Sequence, residues 1–184
     1  LGKRVRARKM ERASSGSRYY DHPAVSLVVV PPFRSSGVKR LLAELRLTGA
    51  DELIVSGDGS RSSNEKEWIR HLVRRNDFVI RSNCASDEML AERALCLARG
   101  AIVCVVHGDE TPPDSEGWLK RAVMLFDAYP HMAVLGGVLG HSAPSDWCVD
   151  PASRIPFVFA SAVISGPIFY RQSAFVELRG FSPV

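Results

Sequence analysis

Residues Val25–Val30, Val-Ser-Leu-Val-Val-Val, restrict the fold more than any other segment. A short run that is apolar at nearly every position cannot leave one face in water, so it reads as a strand covered on both sides. Such strands pair in parallel and are joined by helices that pack on the two faces of the sheet. Three further runs repeat the pattern. Glu52–Val55 ends in Ser56-Gly57-Asp58-Gly59-Ser60, Phe78–Ile80 ends in Arg81-Ser82-Asn83, and Ala101–Val106 ends in His107-Gly108-Asp109-Glu110. Helical periodicity fills the gaps, with Val38, Leu41, Leu42 and Leu45, then Trp68, Ile69, Leu72 and Val73, then Leu90, Ala94 and Leu97 within Asp87–Arg99. Trp118, Leu119, Ala122, Leu125 and Phe126 form a fourth apolar stripe after Pro112-Pro113-Asp114. The expected class is α/β, a mixed, mostly parallel sheet with helices on both faces.

Parallel strands deliver the loops that follow them to one edge of the sheet, where ligands bind in open α/β folds. Arg34, after Pro31-Pro32-Phe33, should therefore meet Asp58, Asn83, Asp109 and Glu110 there. Gly108 permits a tight turn. Adjacent carboxylates are hard oxygen donors suited to Mg2+ or Mn2+ carrying a phosphate, and the same pair also reads as a solvated acidic turn. His107 has two readings as well. It is a metal, ribose or phosphate contact through a ring nitrogen, or hydrogen-bonded structure at a strand end.

Beyond the acidic turn, Met132–Val138 and Phe157–Ile164 read as strands joined by a long loop, His141–Pro156. Loops of this length are often lids or binding elements. Trp147 within it either stacks on a sugar ring or packs the loop onto the body. The cysteines at 84, 96, 104 and 148 fit no zinc spacing, and Cys96 and Cys104 read as small core residues. No Gly-x-Ser-x-Gly elbow and no Gly-Lys-Ser/Thr phosphate loop occurs.

At 184 residues, 46% hydrophobic and 24% charged, the chain has the size and composition of one globular domain. No apolar run approaches the roughly 18 residues of a membrane span. The net charge of +4 conceals an asymmetry. Residues 1–18 hold Lys3, Arg4, Arg6, Arg8, Lys9, Arg12 and Arg18 against Glu11, which leaves the remainder mildly acidic. Residues 1–22 read as a basic flexible arm or stem that can meet a membrane surface or an acidic partner, and 23–184 as the folded domain. Without interleaved aromatics before Tyr19-Tyr20, no nucleic-acid partner is expected.

Several of these pieces resemble family 2 glycosyltransferases of the GT-A, Rossmann-like fold. Val-Ser-Leu-Val-Val-Val-Pro-Pro-Phe-Arg is similar to their opening strand and loop, and Leu-Ile-Val-Ser-Gly-Asp-Gly-Ser to their second strand. His107-Gly108-Asp109 stands at their Asp-x-Asp metal motif. Gly166-Pro167-Ile-Phe-Tyr-Arg171, followed by Phe175 and Leu-Arg-Gly-Phe181, resembles their acceptor-side strand, helix and Gly-Gly-Phe turn. The resemblance covers about residues 25 to 182. It implies a nucleotide-sugar donor, read as a UDP-sugar, and a glycan, lipid or protein acceptor. It places Pro31, Phe33, Arg34, Asp58, Asn83 and His107 at the nucleotide and Asp109 and Glu110 on Mn2+ or Mg2+. Trp147, Gly166 and Pro167 fall on the acceptor side. Transfer by inversion is implied. The compartment follows the source: Golgi or secretory lumen in a eukaryote, cytoplasm or a membrane face in a bacterium.

Four places depart from the family's pattern, one of them Arg34, where it carries an Asn after the first strand. His107 and Gly57 stand where it carries acids, and Ala91-Glu92 replaces an Arg-Asn pair. The family's general base lies beyond the Gly-Gly-Phe turn. The sequence therefore reads as a fragment whose base is expected beyond Val184, and no catalytic base is assigned within it. Two alternatives accompany the transferase reading. One is a catalytically silent nucleotide-sugar-binding or scaffold domain. The other is a nucleotidyltransferase, which would want a glycine-rich basic loop that Pro31-Pro32-Phe33-Arg34 does not supply.

Overall fold

The run Val25–Val30 is strand β1, buried along its whole length near the middle of the sheet. The computed structural model describes residues 24–30, 37–57, 77–81, 86–108, 110, 117–137, 148–149, 151, 156–157 and 165–178. In chain order the elements are β1, α1 (Gly37–Leu47), β2 (Glu52–Gly57), β3 (Phe78–Arg81), α2 (Asp87–Leu97), β4 (Ile102–His107), α3 (Trp118–Ala128), β5 (Val134–Gly137), β6 (Cys148–Val149), β7 (Pro156–Phe157), β8 (Ser165–Arg171) and α4 (Gln172–Glu177). The main sheet has the order β3-β2-β1-β4-β8-β5. β1 to β4 are mutually parallel, and β8 runs antiparallel to both its neighbours. β6 and β7 pair separately as a short antiparallel ribbon.

Side chains of β1 alternate between two apolar layers, as the two-residue period of a strand requires. Val25, Leu27 and Val29 face α1 and α3 through Leu41, Leu42, Leu45, Leu119, Ala122 and Phe126. Val28 and Val30 face α2 and α4 through Ala91, Ala94, Leu95, Ala98 and Phe175. Both faces are thus covered, which explains why β1 tolerates so little polarity. Trp118 packs at the margin of the first layer, edge-to-face on Phe169 with ring centroids 5.6 Å apart. No described helix is long and apolar enough to cross a membrane.

Two of the polar exceptions inside the strands, Ser26 and Glu52, have partners at the edge where the parallel strands begin, and the third, Ser56, donates its hydroxyl to the Leu90 carbonyl nearer the other edge. Glu52 is 1% exposed, and its Oε2 accepts the Ser26 hydroxyl at 2.5 Å and the Arg99 backbone N–H at 3.0 Å. Its Oε1 accepts Arg99 Nε at 2.8 Å, and the guanidinium lies over the Phe78 ring. Gly100 N–H donates to Ser26 Oγ at 2.9 Å. A Cβ on Gly100 would stand 2.5 Å from Ser26 N and 2.9 Å from Ile102 O, both backbone atoms that cannot swing aside. Gly100→Ala is therefore expected to destabilise by about 1–3 kcal/mol, the usual range for overpacking. Urea unfolding measures it, and an unchanged midpoint would contradict so close an approach.

Arg171 closes the same edge further along. Its guanidinium donates to the carbonyls of Phe126, Tyr129 and Met132 and stacks on Phe126, placing a cation at the carbonyl end of α3. Gln172 caps α2 likewise, through Nε2 to the carbonyls of Leu95 and Ala98.

Several sequence expectations shift. β2 extends two residues beyond Val55, β3 one beyond Ile80, and β4 includes His107. Leu97, expected in the core, is 42% exposed. At about 100° per residue the buried stripe of Leu90, Ala91, Ala94, Leu95 and Ala98 is centred roughly 90° away from it. Cys96 falls on the opposite face and is exposed, whereas Cys104 is buried as expected. The strand expected over Met132–Val138 starts only at Val134 and is described to Gly137, Val138 lying outside the described residues. Of the strand expected over Phe157–Ile164, Phe157 lies in the two-residue β7 and residues 158–164 lie outside the described residues, while a sheet strand begins at Ser165. Part of the expected long loop is thereby taken up by the β6–β7 ribbon. The helix expected around Trp68 and the basic arm lie outside the described residues.

Candidate functional site at the C-terminal edge of the sheet

From β1 the chain builds outward to β2 and β3, then returns to place β4 on the other side of β1. The strand order therefore reverses between β1 and β4. This is the topological switch point at which open α/β sheets bind ligands. Val30 and His107 are register partners there, and Gly108 N–H donates to the Val30 carbonyl at 2.8 Å. Gly57 ends β2 opposite Arg81 of β3 at the same edge.

The chain turns immediately after β4. Glu110 N–H donates to the His107 carbonyl at 3.0 Å, while Glu110 Oε2 accepts the His107 N–H at 2.9 Å. The four-residue turn is thus closed by two reciprocal bonds between its first and last residues. His107 shares the strand face of Val103 and Val105, which α2 covers. α2 starts at this edge, where Ser86 Oγ accepts Met89 N–H at 3.3 Å as an N-cap. In its first turn the Glu88 carboxyl is held below its usual range. The Ser86 hydroxyl and Glu88's own backbone N–H lower it, slight desolvation opposes them, and the imidazole of His107 adds a small pull. Burial pushes the Cys104 thiol well up, and the Glu110 charge raises it further, so this cysteine is a neutral core group.

β8 approaches the edge from the opposite direction. Its register with β4 runs from Ile102–Arg171 to Val105–Ile168, so Pro167 and Gly166 continue alongside the end of β4. Both residues lie within β8. Between the pairs Leu135–Phe169 and Gly137–Ser165, residues 166 to 168 of β8 face Gly136 alone, which makes a bulge. Proline, with no N–H to give a ladder, is tolerated inside a sheet at such an irregularity. Gly166 has φ +72°, a left-handed conformation favouring glycine, and open space lies where its Cβ would be.

Of the expected site residues, the structure brings His107, Glu110, Gly166 and Pro167 to one edge. Pro31, Phe33, Arg34, Asp58, Asn83, Asp109 and Trp147 lie outside the described residues, each in a segment that follows or precedes an element reaching that edge. Val184, beyond which the general base is expected, lies outside them as well, and no described residue is assigned as the base. Glu88 and Arg81 are neighbours that sequence reasoning did not single out. The acidic first turn Ser86-Asp87-Glu88 is a visible helix-start signal. Its nearness to His107 follows only from α2 running antiparallel to β4. Among the described residues, no group of three His, Cys, Asp or Glu gathers into a metal site. The residue types at this strand end still fit a hard divalent ion, since the sequence supplies a carboxylate at Asp109 beside Glu110.

No protein-family model and no curated protein matches the chain. Solved structures do match. The mannosyltransferase PcManGT from Pyrobaculum calidifontis, in complex with GDP-Man and Mn2+, aligns over 98% of this chain and 55% of its own, with a TM-score of 0.64 at 13% identity. S. aureus TarS 1-349 aligns over 86% of this chain and 50% of its own, with a TM-score of 0.52 at 18% identity. The same protein in complex with UDP-GlcNAc gives 0.56 at 20% identity, over 86% and 48%. The chain spans about half the length of these proteins. At such identities the likeness is one of fold, and the fold is the GT-A, Rossmann-like arrangement of these glycosyltransferases.

Proposed function

We propose that this chain is a glycosyltransferase domain that moves a sugar from a nucleotide-sugar donor, read as a UDP-sugar, to an acceptor hydroxyl with inversion at the anomeric carbon. The observation that carries this reading is the His107–Glu110 turn, closed at the β1–β4 switch point of a GT-A sheet. The solved proteins of like fold include complexes with GDP-Man, UDP and UDP-GlcNAc, which supports a donor of that class.

In this reading Phe33 packs near the base and Asp58 bonds its imide edge. Pro31, Arg34, Asn83 and His107 complete the nucleotide side, and Asp109, beside Glu110, would hold Mn2+ or Mg2+. When bound, the ion supplies Lewis-acid stabilisation of the departing diphosphate. Gly166 and Pro167 lie on the acceptor side with Trp147, where the bulge lets a sugar approach the backbone. The acceptor hydroxyl, of a glycan, lipid or protein, attacks from the face opposite the diphosphate and gives its proton to a carboxylate base that is not assigned to any residue. The basic arm contacts an anionic surface or an acidic partner.

Calorimetry with a panel of nucleoside diphosphates, with and without Mn2+, tests the reading. Metal-dependent binding with preference for UDP is expected, and failure of every nucleotide to bind would overturn it. A silent binding domain is the second reading, favoured by Gly57 and His107 standing where the resembling family carries acids. Tight UDP binding without donor cleavage would select it.

A further inference from the structure

We infer that Glu110 is a positioning residue, whose carboxylate braces the strand-end turn and acts on the bound nucleotide through the backbone rather than as a metal ligand. The inference rests on the proposed donor site and narrows the role of one of its two acids. Glu110 Oε2 lies 2.9 Å from the His107 backbone nitrogen, and Glu110 N lies 3.0 Å from the His107 carbonyl oxygen. A carboxylate that accepts a backbone N–H three residues earlier, while its own N–H returns the bond, has the reciprocal form of a capping box. It satisfies a donor that the strand ladder would otherwise leave open where β4 ends. Gly108, bonded to Val30, fixes the turn from the β1 side. The described residues on either side of position 109 are thus tied before any ligand arrives. Such ties supply the preorganisation that positions a liganding group.

The roles of brace and ligand separate by substitution. Glu110→Gln keeps an oxygen that can accept the His107 N–H but loses the charge a metal ligand needs, whereas Glu110→Ala loses both. In metal-free protein, hydrogen exchange at the His107 amide should quicken by roughly tenfold to a hundredfold in Glu110→Ala, the span set by a hydrogen bond to a charged acceptor. It should stay near wild type in Glu110→Gln. With Mg2+ present, UDP affinity measured by calorimetry should survive Glu110→Gln within about twofold and drop about tenfold or more in Glu110→Ala. If Glu110→Gln loses Mg2+-dependent binding as fully as Glu110→Ala while keeping its His107 amide protected, Glu110 is a ligand and the inference is overturned. If wild type binds no nucleotide, the proposed function fails separately. The brace is then still read from the His107 amide alone, and unchanged exchange in Glu110→Ala would overturn it.

Discussion

Replacing Glu52 by alanine should cost about 3–5 kcal/mol of stability, the range found when one partner of a buried ion pair is removed. The side chain is 1% exposed and receives three donors: the Ser26 hydroxyl, the Arg99 backbone N–H and the Arg99 guanidinium. In Glu52→Ala all three lose their acceptor, and the backbone N–H and hydroxyl sit where water enters poorly. Against a typical total of about 5–15 kcal/mol for a domain, this is enough to bring the protein close to unfolding at ambient temperature. Glu52→Gln should lie between the two proteins, because its amide keeps one acceptor but turns donors toward donors. Pairing Glu52→Leu with Arg99→Met should recover part of the loss, since an apolar replacement of both partners leaves no orphaned charge. Urea unfolding of the wild type and the three variants decides the matter. A loss below about 1 kcal/mol in Glu52→Ala would mean that the network is solvated and structurally idle. Nucleotide binding, at the opposite edge of the sheet, should be unaffected wherever the variant remains folded.

Asp109→Asn should remove the metal-dependent part of UDP binding and leave the fold unchanged. Neutralising a direct ligand is expected to lower affinity in Mn2+ by about a hundredfold, the upper end of what even outer-sphere changes produce. Binding in EDTA should be the same for both proteins. The hydrogen bonds described at the end of β4 run from Gly108 to Val30 and between His107 and Glu110. Thermal unfolding of the metal-free variant should accordingly match wild type. Equal UDP affinity of the unsubstituted protein in EDTA and in Mn2+ would remove the metal from the mechanism.

Residues that act by periodicity are legible in the sequence itself. Val25–Val30 specifies a strand buried on both faces because every position is small or apolar, and burial of that kind depends only on the local pattern. Leu41, Leu42 and Leu45 on α1, and Leu119, Ala122 and Phe126 on α3, follow from the same reasoning, since each helix needs only one apolar stripe. The convergence of strand ends at one edge follows from the alternation of strands and helices. A residue at the margin of a stripe is less well specified, and Leu97 sits there.

Polar groups gain their meaning from partners distant in sequence, and those only the tertiary structure decided. Ser26 is bonded to Gly100, 74 residues away, and Glu52 to Arg99, 47 away, so nothing local marks Glu52 as buried rather than as the solvated start of a strand. Pro167 reads as a turn residue on its own. It becomes part of an inner strand because β5 presents Gly136 alone against residues 166 to 168 and a bulge absorbs the missing N–H. Apolar side chains need only be removed from water, which a local pattern can ensure. A buried polar group needs one particular partner at hydrogen-bond distance, and the assembled sheet alone brings that partner within reach.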